Sequence, residues 1–302
     1  MGISRRNWLI GCTGAVAGAG LGLGRRHTTE AAAPAAYRVK LSVAAYSYRK
    51  HLPEGSKRGS MTLFDLFEMA AEWGLDAVEP TSYYFTSEDR EYLHALKSKA
   101  FRLGLDISGT AIRNDFCHPD ELRRREEVEH VKRWVDHAVE LGAPCIRVFG
   151  GNKHAEVSDG RAFELAVEGL KESCDYAGTR GIYLAIENHG YLTESAQDVL
   201  RIVEGVAHEW LGVNLDTGNF KTRPYDNIEQ LAPHAVNVQL KTDVVQDDGN
   251  GRLPGDYARI FGILKRAGYR GYVALEYEAE EDPNTGFPKF LERVRQAARA
   301  VQ

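Results

Sequence analysis

Five times between residues 73 and 269 the chain repeats one kind of junction: Trp73-Gly74-Leu75, Leu103-Gly104-Leu105, Leu141-Gly142-Ala143, Arg180-Gly181-Ile182 and Ala267-Gly268-Tyr269. Glycine just past a helix takes the left-handed conformation without a Cβ penalty, and the apolar residue after it turns the chain into a strand. Upstream of these junctions lie stretches with helical spacing of apolar residues, such as Leu63, Leu66, Phe67 and Ala70, or Phe163, Ala166, Val167 and Leu170. Between the helical stretches lie short aliphatic runs at 40–47, 76–79, 106–108, 145–149, 182–187, 212–215, 236–240 and 272–276. Strands joined by helices are parallel strands, and eight such units in one chain predict a closed (β/α)8 TIM barrel of α/β class, ending in a helix over 288–301. The 302 residues suit a barrel of roughly 250 residues behind a short leader, and no internal boundary interrupts 36–302.

The first 35 residues differ in kind. Ser4-Arg5-Arg6-Asn7-Trp8-Leu9 opens a weakly apolar, Gly/Ala-rich stretch that runs into Ala31-Ala32-Ala33-Pro34-Ala35-Ala36. This is the layout of a cleavable twin-arginine signal peptide over 1–35, and it implies an exported, periplasmic or extracytoplasmic protein. The apolar part is rich in glycine and shorter than the roughly 20 residues a bilayer needs, so no stable membrane insertion is expected after processing.

Of the 38 basic and 43 acidic residues, four arginines and Glu30 lie in that segment, leaving 34 and 42 and a formal charge of −8. Such a surface offers no general attraction to nucleic acid, whose binding leans on Lys and Arg. Cys117, Cys145 and Cys174 remain, an odd number without zinc spacing, so three buried or half-buried thiols are expected and no disulfide framework. Self-association into a homo-oligomer is compatible with this composition.

Four of the strand-like runs end in an oxygen-bearing side chain: Glu187, Asp216, Gln239 and Glu276, spaced one β/α unit apart. In such barrels the chemistry sits at the C-terminal strand ends and in the loops beyond them. Acidic or amide groups ending apolar strands are costly to bury without a counter-charge, and a shared cation would satisfy all four. Hard oxygen donors suit Mn2+ or Mg2+ better than zinc. Alone, each has an ordinary structural reading: Asp216-Thr217-Gly218 is turn chemistry, and a buried Gln usually bonds backbone.

At strand period two, Lys241 shares a face with Gln239, and His189 with Glu187. Arg147 and Glu79 also alternate toward the barrel, and these four are the candidate substrate-binding residues. Lys241 is equally suited to neutralising a nearby carboxylate, and Arg147 and Glu79 to a structural pair. Glu278 shares the face of Glu276 one step further out. Tyr46, Tyr48 and Phe116 are candidates for stacking on a sugar face. The loops at 110–120, 150–158 and 241–253 are the longest and should form the rim.

These segments resemble one family. Ile186-Glu187-Asn188-His189, Asn214-Leu215-Asp216-Thr217-Gly218-Asn219, Val238-Gln239-Leu240-Lys241 and Leu275-Glu276-Tyr277-Glu278 are similar to motifs of the sugar phosphate isomerase/epimerase superfamily, the xylose isomerase-like barrels. Ile107-Ser108-Gly109, Asn114-Asp115-Phe116 and Ile146-Arg147-Val148-Phe149-Gly150-Gly151 extend the similarity. The resemblance implies metal ligands at Glu187, Asp216, Gln239 and Glu276, with Glu187 and Glu276 also moving a proton at a ketose carbon. Many ketose epimerases carry His at the place of Gln239, whereas hydroxypyruvate isomerase-type members carry Gln. Asn219 stands where some epimerases offer a His to the substrate. The expectation is a divalent-metal-dependent isomerase or epimerase of a keto-sugar or small hydroxy-ketone, working through an enediolate. The alternatives are a keto-glycoside lyase, in which the same enolate expels a leaving group, and a non-catalytic sugar-binding barrel.

Overall fold

The computed structural model describes residues 37–301. The expected signal segment lies outside the described residues. Eleven strands are present: β1 Lys40–Ala44, β2 Ala77–Glu79, β3 Asp106–Ile107, β4 Thr110–Ala111, β5 Cys145–Val148, β6 Tyr183–Glu187, β7 Leu211–Asp216, β8 Ala235–Lys241, β9 Asp243–Val245, β10 Arg252–Pro254 and β11 Tyr272–Glu276. Nine form one parallel sheet in the order β3-β2-β1-β11-β8-β7-β6-β5-β4. Here β3 and β4 are two pieces of the third barrel strand, and Thr81, just past β2, bridges to Ala111 in β4 and closes the ring. Nine strands therefore fill eight barrel positions. The third strand breaks at Ser108-Gly109, where a Cβ on Gly109 would lie 2.9 Å from Cys145 Sγ.

Around the ring run α1 Leu63–Glu72, α2 Arg90–Leu103, α3 Glu121–Leu141, α4 Asp159–Arg180, α5 Ala196–Val206, α6 Pro224–Leu231, α7 Tyr257–Arg266 and α8 Pro283–Val301. Thr62, Asp89, Asp120, Ser158, Ser195 and Asp256 cap six of them through side-chain oxygens that accept backbone N–H groups. The five glycines of the repeated junction all take positive φ, as expected. Each helix turns an apolar stripe inward, including Phe67, Trp134, Leu170 and Phe261, all buried. Burying such a side chain contributes about 1.5–3 kcal/mol.

Three elements depart from the sequence expectation. The first strand stops at Ala44 and continues as a tight 3-10 turn, Ala45–Tyr48. There Ser47 Oγ donates to Leu275 O (3.0 Å) and accepts from Tyr277 N (2.9 Å), fastening the end of β1 to that of β11. The last helix begins at Pro283, not at 288, because Asp282 caps it by accepting from Asn284 N (2.9 Å), and Pro288 is absorbed in its second turn. The expected loop at 241–253 contains a hairpin, β9 against β10. Among the described residues no helix is long and apolar enough to cross a membrane.

Candidate active site

The barrel axis is unusually polar beneath the C-terminal strand ends. Gln239 Nε2 donates to Glu79 Oε2 (2.8 Å), Asn214 Nδ2 donates to Gln239 Oε1 (2.7 Å), and Asn237 Nδ2 donates to both Asn214 Oδ1 (2.8 Å) and Glu79 Oε1 (2.5 Å). These four buried side chains close a hydrogen-bonded ring that fixes Gln239 from below. The ring depends on a bulge: pairing between β7 and β8 jumps from Val213↔Ala235 to Asn214↔Asn237, skipping Val236. Val236 sits over Gly212, where a Cβ would come within 2.4 Å of it. Beyond the bulge Asn237, Gln239 and Lys241 share one face, and that face is the barrel interior. Glu79 is fully buried and lies outside the cavity lining, where it supports Gln239 and Asn237. Burial pushes its carboxyl up to about 7.

Above this ring opens a cavity of about 350 Å³, lined by Glu187, Glu276, Gln239, Lys241, Arg147 and His189, with Tyr46, Tyr83, Phe149, Asn219 and Glu278 on its walls. Rim loops after the third and fourth barrel strands supply Arg113, Asn114 and Asn152, as expected. Tyr46 lines the cavity, whereas Tyr48 and Phe116 are core residues: Tyr48 donates to Pro283 O (3.2 Å), and the Phe116 ring fills the space left by Gly169.

The candidate carboxylates are divided between two cations, Arg147 and Lys241. Glu187 Oε2 lies 2.9 Å from Arg147 Nε, and Glu187 Oε1 accepts from Asn219 Nδ2 (2.9 Å). Arg147 Nε is poorly aligned for a hydrogen bond, so that contact is chiefly ionic. The guanidinium is held in place by Ile112 O (2.8 Å), the Tyr83 hydroxyl (3.3 Å) and the Phe149 ring, 4.2 Å away. Arg147 thus pairs with Glu187 and not with Glu79. Lys241 Nζ meets three carboxylates: Glu278 at 2.9 Å, Glu276 at 3.0 Å and Asp216 at 3.3 Å. Asp216 is fully buried below the cavity lining. Its backbone N–H and carbonyl are both bonded by the Asn188 side chain, and its Oδ1 accepts from Gly218 N (2.8 Å).

Burial raises the carboxyls of Glu187 and Asp216 to about 7, with Arg147 and Lys241 respectively pulling them back and Glu276 pushing both further up. The Lys241 ammonium stays far above its ordinary range, because its carboxylate partners outweigh its burial. His189 packs on Phe149, ring centroids 4.8 Å apart, with its outer edge toward solvent. Burial of its inner side and the nearby Arg147 lower its pKa, which favours the neutral imidazole.

A family model for the xylose isomerase-like TIM barrel matches residues 67–297. The chain belongs to the xylose isomerase-like TIM barrel family. Among relatives of this barrel family, L-ribulose-5-phosphate 3-epimerase UlaE of Escherichia coli O8 (strain IAI1) is 24% identical over 257 residues, covering 78% of this chain and 88% of that protein. A solved D-psicose 3-epimerase, determined with D-fructose present, superposes with a TM-score of 0.71 at 19% identity, over 87% of this chain and 99% of that one. The 3-keto-D-glucoside 4-epimerase YcjR from E. coli superposes with a TM-score of 0.65 at 16% identity, over 86% and 99%.

Whether a divalent cation suits this xylose isomerase-like site can be judged from its donors. Three carboxylates and an amide oxygen form a hard set, and Asp216 Oδ2 is buried without a hydrogen-bond partner. The donor chemistry fits. In the present arrangement, however, no group of three or more Asp, Glu, His or Cys side chains among the described residues is disposed to hold an ion, because the carboxylates are drawn onto Lys241 and Arg147.

Every charged member of the cavity floor was legible in the sequence, as were Glu79 and Gln239 of the polar ring, but not its two asparagines. Asn214 and Asn237 each stand two residues before a recognised site residue inside an apolar run, and that is the signal that could have found them. Tyr83 and Arg113 carry no such signal. They reach the cavity only through packing, with Arg113 stacked 3.9 Å over the Tyr83 ring.

Proposed function

We propose that this protein is an isomerase or epimerase of a keto-sugar or small hydroxy-ketone, moving a proton through an enediolate between Glu187 and Glu276. The observation that carries this reading is that both carboxylates open onto one cavity from strands three apart in the ring, each against its own cation. The names of the curated relative and of the two solved barrels, all sugar or keto-sugar epimerases, support the same class of reaction.

Glu187, Asp216, Gln239 and Glu276 would hold Mn2+ or Mg2+, which when bound polarises the substrate carbonyl and lowers the pKa of the adjacent C–H. Arg147 and Asn219 hold Glu187 in one orientation, so that its free lone pairs face the cavity. The neutral His189 imidazole donates to a substrate hydroxyl, and Tyr46, Tyr83 and Phe149 supply walls for the apolar faces of a sugar. Export through the twin-arginine segment at 1–35, ahead of a single barrel over 36–302, belongs to the same proposal and favours substrates met outside the cytoplasm.

The test is solvent deuterium exchange into a panel of free ketoses, hydroxypyruvate and 3-keto-glucosides, with Mn2+ added. The expected result is incorporation at one carbon next to the ketone, with a new isomer or epimer. Aglycone release from the glucoside without isomerisation would instead establish the lyase. Ligand binding without exchange, unaffected by Glu187→Gln and Glu276→Gln, would establish a silent sugar-binding barrel.

A further inference from the structure

We infer that Lys241 is a resident counter-ion that holds the cation position of this site and moves outward onto Glu278 when a divalent metal enters. This rests on the proposed metal-dependent reading of the same four ligands. The Lys241 ammonium touches Asp216 and Glu276, two members of that ligand set, at 3.3 and 3.0 Å. Two cations cannot share that space, so a metal taking those oxygens must displace the ammonium. Its third partner shows where it goes. Glu278, at 2.9 Å, stands on the cavity wall with 37% of its side chain exposed, against 0% and 8% for Asp216 and Glu276.

The path is built into the neighbouring backbone. The lysine stem runs against Gly218, where a Cβ would come 2.5 Å from Lys241 Cγ and 2.7 Å from its Cβ. Thr217 Oγ1 accepts from Lys241 N (3.0 Å), which anchors the backbone, so the inferred displacement is confined to the outer torsions of the side chain. The Tyr46 ring, 6.0 Å from Nζ, provides a flat wall beside the outer position. Without metal the ammonium compensates carboxylates whose burial would otherwise be uncompensated. With metal it becomes a cation at the cavity wall, next to where the substrate lies.

The experiment is Mn2+ binding, with no substrate, to metal-stripped wild type, Lys241→Met, Glu278→Gln and the double variant, by calorimetry and by the Mn2+-induced shift in melting temperature. Lys241→Met is expected to bind Mn2+ at least tenfold tighter and to show a larger thermal shift. Glu278→Gln is expected to bind more weakly, because the lysine has lost its outer partner. In the Lys241→Met background the Glu278→Gln effect is expected to vanish. If the two substitutions act additively, Glu278 is only a distant negative charge and the inference is overturned. Unchanged or weaker binding by Lys241→Met overturns it too, as does an absence of Mn2+ binding in all four proteins. Should Lys241→Met destabilise the fold, Lys241→Gln takes its place in the same four-protein comparison, with the same outcomes. Deuterium exchange by wild type with Mn2+ is read separately: additive effects, or a Lys241→Met that binds no tighter, leave the proposed function standing, whereas no Mn2+ binding in any protein removes the metal-dependent reading as well.

Discussion

Replacing Glu79 by Gln tests the polar floor of the barrel through the pH dependence of stability. Glu79 is completely buried, and burial raises its carboxyl from 4.5 to about 7. Below about pH 4.5 both folded and unfolded chains hold this proton, and above about pH 7 neither does. Between those limits the folded state binds more protons, so stability falls as pH rises. A shift of this size corresponds to about 3.4 kcal/mol at about 1.4 kcal/mol per unit. Of that, about 2.5 kcal/mol is lost between about pH 5 and about pH 8. The amide of Glu79→Gln keeps nearly the same shape and cannot ionise, but its nitrogen faces an amide donor of the ring, a cost that does not change with pH. The titration is therefore read in how the gap between the two melting temperatures changes. From about pH 5 to about pH 8, in chelator, that gap should move by about 5–10 °C in favour of the variant, taking about 2–4 °C per kcal/mol for a domain approaching this size. The assay is a series of calorimetric melts across that range. Parallel profiles for the two proteins would refute the assignment of a buried, titrating carboxylate to Glu79, whatever Glu187 and Asp216 contribute to both.

Substitutions at three further positions probe how the site is held. Gly218→Ala places a methyl 2.5–2.7 Å from the inner carbons of Lys241 and 3.0 Å from Asp243 O, so overpacking should cost about 1–3 kcal/mol in denaturant titrations. Asn188→Ala removes both bonds to the Asp216 backbone and leaves buried groups unpaired, about 1–3 kcal/mol each; an unchanged midpoint would show that water replaces the amide. Arg147→Met leaves Glu187 with Asn219 alone, and breaking such a buried pair should lower stability by about 3–5 kcal/mol at neutral pH, with Arg147→Lys recovering only part because Lys cannot also reach Ile112 O and Tyr83.

Much of the barrel could be read from the chain because its signals are local. A glycine that must take positive φ, a capping Ser, Thr or Asp, and an apolar stripe at helical period all act within a few residues. They placed eight strand positions and the helices between them. Errors arose where a distant partner decided the outcome. Ser47 ends β1 early because it bonds across to Leu275 and Tyr277, and the third strand breaks because Gly109 must clear Cys145. The same distinction holds in the site. Strand-end position and period two singled out Glu187, Asp216, Gln239, Glu276, Lys241, His189 and Arg147, all of which except Asp216 line the cavity. The depth of a residue along the barrel axis is set by register, so the sequence did not separate Glu79, which lies beneath the cavity, from Arg147, which lines it. Nor did it show that Lys241 would meet Asp216, Glu276 and Glu278 together.

Glu187 and Glu276 are proposed to move a proton on opposite faces of one substrate carbon. Stereospecific deuterium exchange reads out each face separately. Once the ketone exchanged by wild type is known, Glu187→Gln and Glu276→Gln are each incubated in D2O with Mn2+ and with either epimer separately. Each variant should retain exchange with one epimer and lose it with the other, and the two variants should show opposite preferences. Exchange of both epimers by either variant at wild-type rates would show that the two carboxylates do not divide the proton transfer between them.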